Sequence, residues 1–277
     1  QNKSLRVIIF QNKSKWVMGS DMLKGERLYK IVDYINEKKT VTINELCDFL
    51  NVSKPTINRD LKILEEEKLI TRTHGGAMSL TKGTRFEPIY IVKERERILE
   101  KDAIASRASE FIKQGETIYL DSGTTTLALA KKIVGMSNIT VITNDLKIAY
   151  ILCSVNDIEL VVLGGQQRKG VYSLLGPFAE NTLKILNIDK AFLGADAIDL
   201  EKGITNSNID ESNLKKSIIE MSNEVIALTD SSKFGNVCFV KVCDIHEVNS
   251  IITDSNISKA EIKKFQYENI KLHIVEL

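Results

Sequence analysis

From residue 117 to the C-terminus the chain alternates short apolar runs with segments of helical spacing, and that alternation limits the fold more than any other feature. The runs are TIYL (117–120), ITVIT (139–143), ELVVLG (159–164), KAFLGA (190–195), EVIALT (224–229), SIITD (250–254) and KLHIVEL (271–277). Short, near-continuous apolar runs suit strands buried on both faces. Intervening helices supply the crossovers that parallel strands need, and they cover the sheet. The expectation is a mainly parallel α/β sheet, closed by a capped helix and last strand in SNISKAEIKKFQYENIKLHIVEL (255–277).

Upstream the pattern differs, and 277 residues leave room for a second domain. Leu28, Ile31, Val32 and Ile35 form one apolar helical stripe. Thr42 with Glu45 is a capping box opening a short helix that carries Ile43, Leu46 and Leu50. After a turn at Asn51-Val52, Ser53 is the expected cap of a third helix. Pro55 stands in its first turn, and Ile57, Leu61 and Leu64 face inward. LITRTHGGAMSL (69–80) reads as a hairpin turning at Gly75-Gly76. The expected boundaries are a leader or appended segment at 1–22, with Met22 a candidate start, a helical domain at 23–78, a linker at 79–95 around Pro88, and the α/β domain at 96–277.

Composition excludes more than it assigns. The hydrophobic fraction of 43% and charged fraction of 27% are those of a soluble globular protein. A net charge of +1 gives no global reason for a nucleic-acid or membrane partner, so either must be argued locally. No apolar run reaches membrane-spanning length, and VIIF near the N-terminus is too short for a signal peptide. Cys47, Cys153, Cys238 and Cys243 are scattered, which fits a reducing cytoplasm. Cys238, Cys243 and His246 match no zinc spacing.

A tight turn between the second and third helices is what a helix-turn-helix requires. With Ile57, Leu61 and Leu64 inward, Lys54, Asn58, Arg59 and Lys62 face outward together. Lys can neutralise a phosphate, Arg pairs with guanine and Asn with adenine. Residues 52–62 carry three cations, Lys54, Arg59 and Lys62, against one anion, Asp60. Glu65, Glu66 and Glu67 should point away from DNA, and Arg72 and His74 on the hairpin would form a wing. The plainer alternative is a small helical domain for protein contacts.

In the α/β part, DSGTTT (121–126) follows one expected strand and opens a helix. A helix N-terminus presents unpaired amides and a positive dipole end, and Gly123 allows close approach of an anion. Ser122, Thr124, Thr125 and Thr126 add hydroxyls. The loop is neither a Walker P-loop nor a Rossmann fingerprint, and an ordinary N-cap turn is the alternative. Asn144-Asp145, Gly164-Gly165, Asp196, and Asp230 with Lys233 end other strands, where an open α/β sheet places its ligand crevice. Glu211 and Lys215 stand four apart on a helix, a spacing that also suits a surface ion pair.

The segment from Glu26 to Ala77 resembles the winged helix-turn-helix of DeoR-family transcriptional regulators. The resemblance rests on Val52-Ser53, Thr56-Ile57-Asn58-Arg59-Asp60-Leu61, Leu64-Glu65 and Arg72-Thr73-His74-Gly75-Gly76-Ala77. Asn58 departs from the family, which usually has arginine there. By the resemblance, Ser53, Lys54, Thr56, Asn58, Arg59, Lys62, Arg72 and His74 would bind operator DNA. Residues from about 96 to 255 resemble the family's sensor domain through DSGTTT, VITNDL, LGG, GADAID…GIT, ESNLKK and LTDSSKFG, and that domain resembles ribose-5-phosphate isomerase in fold. By that likeness Asp121, Ser122, Gly123, Thr124, Thr125 and Thr126 would cradle the phosphate of a sugar-phosphate effector. Asn144, Gly165, Asp196, Glu211, Lys215 and Lys233 would line the rest, with Lys215 and Lys233 facing the anion. The implied protein is a repressor of a carbohydrate operon, a dimer or tetramer without a catalytic cofactor. An isomerase-like enzyme is the alternative, with Asp196 and Glu211 as its carboxylates.

Overall fold

The computed structural model describes residues 24–67, 69–79, 83–88 and 90–277. The expected leader, 1–22, lies outside them. The chain divides into two compact units, Gln1–Thr81 and Lys82–Leu277.

The first unit contains α1 (Lys24–Lys38), β1 (Thr40–Thr42), α2 (Ile43–Leu50), α3 (Lys54–Glu66), β2 (Ile70–Thr73) and β3 (Gly76–Ser79). The α1 stripe of Leu28, Ile31, Val32 and Ile35 is buried as its spacing predicts. Thr42 caps α2 reciprocally: its hydroxyl accepts from the Glu45 N–H, and its own N–H donates to Glu45 at 2.6 Å. Asn51, at φ 52°, ends that helix in the left-handed conformation asparagine tolerates. Ile57, Leu61 and Leu64 form the buried face of α3.

Asp60 joins that face and is 1% exposed, so it does not offset the outward cations as the charge count assumed. It sits one residue before Leu61 on the inward arc, and it is tolerated there because Arg27 of α1 reaches it. The guanidinium donates through Nε at 2.5 Å and Nη2 at 3.1 Å. β1, too short to show periodicity, adds to the expected hairpin, giving the antiparallel order β1-β3-β2. A Cβ at Gly76 would lie 1.9 Å from the Val41 carbonyl oxygen, so only glycine lets these strands meet.

The second unit opens with α4 (Tyr90–Arg95), α5 (Ile98–Ser109), β4 (Thr117–Leu120), α6 (Thr124–Lys132), β5 (Ile139–Thr143), α7 (Leu146–Leu152) and β6 (Ile158–Val162). β7 (Gln166–Gln167), β8 (Leu174–Leu175), α8 (Pro177–Leu183), β9 (Ile188–Gly194), β10 (Ala197–Asp199), β11 (Gly203–Asn206) and α9 (Ile209–Glu220) follow. β12 (Ser222–Leu228), β13 (Val240–Cys243), β14 (Ser250–Asp254), α10 (Lys259–Tyr267) and β15 (Leu272–Val275) complete it. The seven expected strands form one sheet, ordered β15-β14-β12-β9-β4-β5-β6 and parallel throughout.

Side-chain alternation divides the core between the two faces. Ile118 and Leu120 pack with Ile104, Leu127 and Ile148 from α5, α6 and α7. Tyr119 packs in the cluster that holds Leu183, Leu214 and Phe265 from α8, α9 and α10. Cys243 belongs to this second cluster. From β4 the chain first adds β5 and β6 on one side, then β9, β12, β14 and β15 on the other. The C-terminal end of β4 is therefore the topological switch point, where open α/β sheets leave a crevice.

The connection is shorter than the 79–95 expected. Ser79 still belongs to β3, and Tyr90–Arg95 is helical, with Tyr90 and Val92 buried in the second unit. Six residues with charges at Lys93, Glu94 and Arg95 carry no helical signal of their own. Tertiary ion pairs hold them instead, including Lys147 to Glu94 at 2.7 Å. Among the described residues no helix is long and apolar enough to cross a membrane.

Candidate functional site

On α3, Lys54, Arg59 and Lys62 are exposed, with Lys62 3.8 Å from Glu66. Ser53 holds the N-cap position through its backbone, but its hydroxyl pairs with that of Thr56 at 2.9 Å rather than with a helix amide. Asn58 is not presented bare. Its Nδ2 donates to the Lys54 carbonyl at 3.0 Å, and its Oδ1 accepts from Arg72 Nη2 at 3.2 Å. The residue at the family's arginine position thus ties the β2 strand to α3. His74 is exposed on the turn between β2 and β3.

In the second unit a pocket of about 770 Å³, open mouth included, is lined by Ser122, Gly123, Thr124, Thr125, Asp196, Glu211, Lys215 and Lys233 of the expected set. The first intrahelical bond of α6 runs from the Leu127 N–H to the Gly123 carbonyl at 2.9 Å. The amides ahead of it have no partner within the helix. The Ser122 hydroxyl donates to Asp145 at 2.6 Å, and Asp145 caps α7 by accepting from the Lys147 and Ile148 amides. Burial lifts the Asp145 carboxyl above its ordinary range.

Four expected residues serve the framework instead of the pocket wall. Asp121 lies beneath the loop and accepts from Lys215 Nζ at 2.6 Å and the Gly194 N–H at 2.9 Å. Thr126 is fully buried, its hydroxyl donating to the Gly123 carbonyl at 2.9 Å. Asn144 accepts from the Tyr119 hydroxyl at 2.8 Å and donates to the Leu174 carbonyl at 3.2 Å. Gly165 is at φ 148°, and a Cβ there would meet the Leu175 carbonyl at 2.5 Å, so it allows close approach of β8.

Sequence reasoning missed the wall contributed by Glu87, Tyr90 and Lys93 of the segment read as linker, and by Glu96 and Arg97 just after it. Lys93 donates to Asp196 at 2.9 Å and lies 3.5 Å from Glu87. Arg168 bridges Glu87 and Glu211, the latter at 2.9 Å, and the Ser173 hydroxyl also donates to Glu211. Asp196 accepts further from the Ser207 N–H and hydroxyl. Burial opposes the charge on Lys93, but Asp196 and Glu87 outweigh it and hold the ammonium above its ordinary value. Burial likewise opposes ionisation of Asp196, which Lys93 and Lys215 keep below the carboxylate range. Burial raises Glu211 despite Arg168.

Lys101 is the exception among these cations, because its hydrogen bonds go to carbonyls, those of Lys93 and of Glu96 at 2.6 Å. It caps the C-terminal end of α4. Burial, with Lys233 and Lys93 adding repulsion, pushes it down to about 8. An anion at the α6 N-terminus would thus meet amides, the Thr124 and Thr125 side chains, and a lysine whose charge no bonded carboxylate offsets.

Comparison with known proteins agrees with both halves of this geometry. The profile described as DeoR-like helix-turn-helix domain matches residues 27–83, and that described as DeoR C terminal sensor domain matches residues 96–255. The uncharacterized HTH-type transcriptional regulator YulB of Bacillus subtilis is 36% identical over 256 residues, 92% of this chain and 98% of that protein. HTH-type transcriptional regulator GlpR of Haloferax volcanii is 37% identical over 87% of this chain and 95% of its own. The lactose phosphotransferase system repressor of Lactococcus lactis is 36% identical, with coverages of 90% and 98%. Among solved structures, ribose 5-phosphate isomerase A from Methanocaldococcus jannaschii gives a TM-score of 0.37 at 19% identity, covering 48% of this chain and 53% of that one. The chain belongs to the DeoR family of transcriptional regulators, with a DNA-binding helix-turn-helix followed by a sensor domain.

Proposed function

We propose that the chain represses a carbohydrate-metabolism operon in the cytoplasm and is released by, or acts with, a phosphorylated sugar bound in the second unit. The observation that carries this reading is the position of the α6 N-terminus. It opens onto the switch-point pocket, which Thr124, Thr125 and Lys101, whose ammonium hydrogen-bonds to carbonyls, also line. That set suits a phosphate monoester dianion. The name of the lactose phosphotransferase system repressor supports a carbohydrate role. Binding is favoured over turnover because Asp196 and Glu211, the carboxylates an isomerase would use, are committed to Lys93 and Arg168.

Operator reading is assigned to Lys54, Arg59 and Lys62 on α3, with Ser53, Thr56, Arg72 and His74 as supporting contacts. Asn58 orients Arg72. One recognition helix covers too few base pairs for specificity, so the active species is a dimer or tetramer. The segment that lines the pocket through Glu87, Lys93 and Arg97 directly follows the helix-turn-helix unit in the chain. An effector competing for these side chains therefore acts on the connecting chain itself, and it shifts the population of arrangements that match the operator.

Two substitutions test the assignment. Arg59→Ala should weaken operator binding by about 10–100-fold in a gel-shift or anisotropy assay and leave sugar-phosphate binding intact. Thr125→Glu should place a carboxylate at the anion site, abolishing effector binding while operator affinity persists. Unchanged operator affinity in Arg59→Ala would remove α3 as the reading helix. Unchanged effector affinity in Thr125→Glu would remove the α6 loop as the phosphate grip.

A further inference from the structure

Arg72 belongs to the hairpin strand β2, yet its Nη2 donates to Asn58 Oδ1 of α3 at 3.2 Å. The other end of the Asn58 amide donates to the Lys54 carbonyl at 3.0 Å. Lys54, Asn58 and Lys62 follow at i, i+4 and i+8, so they occupy one stripe of the helix. Arg72 therefore lies against the middle of the basic stripe of α3. Its side chain is 31% exposed while Nε is buried. Any contact it makes with a large partner runs through the terminal nitrogens.

The kind of group that holds an arginine decides what the arginine can do. In the same unit Arg27 is held by the carboxylate of Asp60, which is 1% exposed, and its charge is cancelled there. Arg72 is held by a neutral amide. The Glu65 carboxylate lies 4.0 Å from Nη1 and is 47% exposed, where an ion pair contributes little. Arg72 thus keeps its charge while its orientation is fixed, and a guanidinium already fixed loses less freedom on binding. A phosphate is served by a flexible point charge such as lysine, but a base edge demands donors at a set angle.

We infer that Arg72 reads a guanine beside the bases that α3 reaches, and that Asn58 is the positioning residue that aims it. The inference rests on α3 being the reading helix, and it moves Arg72 from a supporting contact to the recognition surface. With Nε buried and one Nη2 hydrogen on Asn58, an N–H on each terminal nitrogen is left for the O6 and N7 acceptors of guanine. Asn58, with both ends of its amide engaged, acts by holding Arg72 rather than by pairing with adenine.

The test uses the full chain and the duplex that the wild type enriches from a random-sequence pool. Anisotropy titrations measure that duplex and each of its single base-pair replacements. Replacing one G·C pair of a half-site should cost the wild type about 10–100-fold, and Arg72→Ala should lose discrimination at that pair alone. Arg72→Lys keeps the charge without the fork and should not restore it. Asn58→Ala should weaken the preference at the same pair. The double variant, Asn58→Ala with Arg72→Ala, should bind no worse than Arg72→Ala. Equal losses in Arg72→Ala over every duplex, with a shallower salt dependence and rescue by lysine, would make Arg72 a phosphate contact and overturn the inference. Additive losses in the double variant, or an Asn58→Ala effect at a different pair, would show Asn58 reading a base itself and overturn it too. Circular dichroism melting checks that the first unit of each variant folds, and Arg72→Lys carries the same comparison if Arg72→Ala does not. If Arg59→Ala leaves affinity for the selected duplex unchanged, the α3 assignment fails and this inference with it. Sensitivity to Arg59→Ala together with a uniform Arg72→Ala loss refutes the inference alone.

Discussion

Lys215 was expected to face an anionic ligand, but its ammonium is spent on Asp121, and that makes a measurable difference. Nζ lies 2.6 Å from Asp121 Oδ2 and also donates to the Gly194 carbonyl, with side chains only 6% and 3% exposed. Lys215→Met keeps the aliphatic stem and removes the charge. It leaves a buried carboxylate whose remaining bond comes from the Gly194 N–H at 2.9 Å. Losing one partner of a buried pair costs about 3–5 kcal/mol, against a total domain stability of roughly 5–15 kcal/mol. Urea unfolding followed by circular dichroism should show the second unit's midpoint fall by about 1.5–2.5 M, taking a slope near 2 kcal/mol per molar. Asp121→Asn should also destabilise, because it strands the ammonium. The double variant Lys215→Met with Asp121→Asn removes both charges and should be milder than the sum of the singles by about 2 kcal/mol or more. Strict additivity would refute the reasoning, since it would mean the two groups contribute independently and the short contact carries no coupling.

Three further outcomes are expected. Lys101 sits at about 8, so below that pH it is charged in both the folded and unfolded chain and its burial cost is carried in full. As pH rises from there toward the ordinary lysine value, folding releases the proton and the cost is relieved. A bound anion favours the charged form, so sugar-phosphate affinity by calorimetry should fall as pH passes about 8, and Lys101→Met should flatten that profile. Asp60→Ala strands Arg27 in the first unit and should cost about 3 kcal/mol, seen as a lower first melting transition with Arg59 chemistry untouched. Glu87→Gln removes the carboxylate shared by Arg168 and Lys93. Amide exchange across Tyr90–Arg95 should then speed by about tenfold, and unchanged exchange would mean that Tyr90 and Val92 packing alone holds that helix.

The large parallel sheet was legible because each strand is buried on both faces and reads as an apolar run. TIYL, ITVIT and SIITD even match β4, β5 and β14 residue for residue. β1, β7, β8 and β10 were not legible, since two or three residues carry no period. α4 was hidden for another reason. Its ion pairs are with Lys147 and Asp196, residues about 50 to 100 positions away in a chain order no local pattern reports. Asp60 was misplaced because a charged residue is assigned to the surface by default, and only the partner at Arg27 explains its burial.

The site followed the same division between what a strand end fixes and what it leaves open. Strand ends mark where a crevice lies, so Ser122, Gly123, Asp196 and Lys233 could be located before any coordinates. They do not say which way a side chain points. Asp121 and Ser122 are neighbours, yet backbone alternation sends Asp121 beneath the loop to Lys215 and leaves Ser122 on the pocket wall. The same ambiguity assigned Asn144 and Gly165 to a ligand when they serve Tyr119 and β8. Tyr90, Asn206 and Thr229 line the pocket without having been expected there. None carries a charge or stands in the glycine–threonine loop, and what sets them apart is a missing partner, which only a complete accounting of hydrogen bonds exposes. The loop and helix end are thus written locally, whereas these three residues are not.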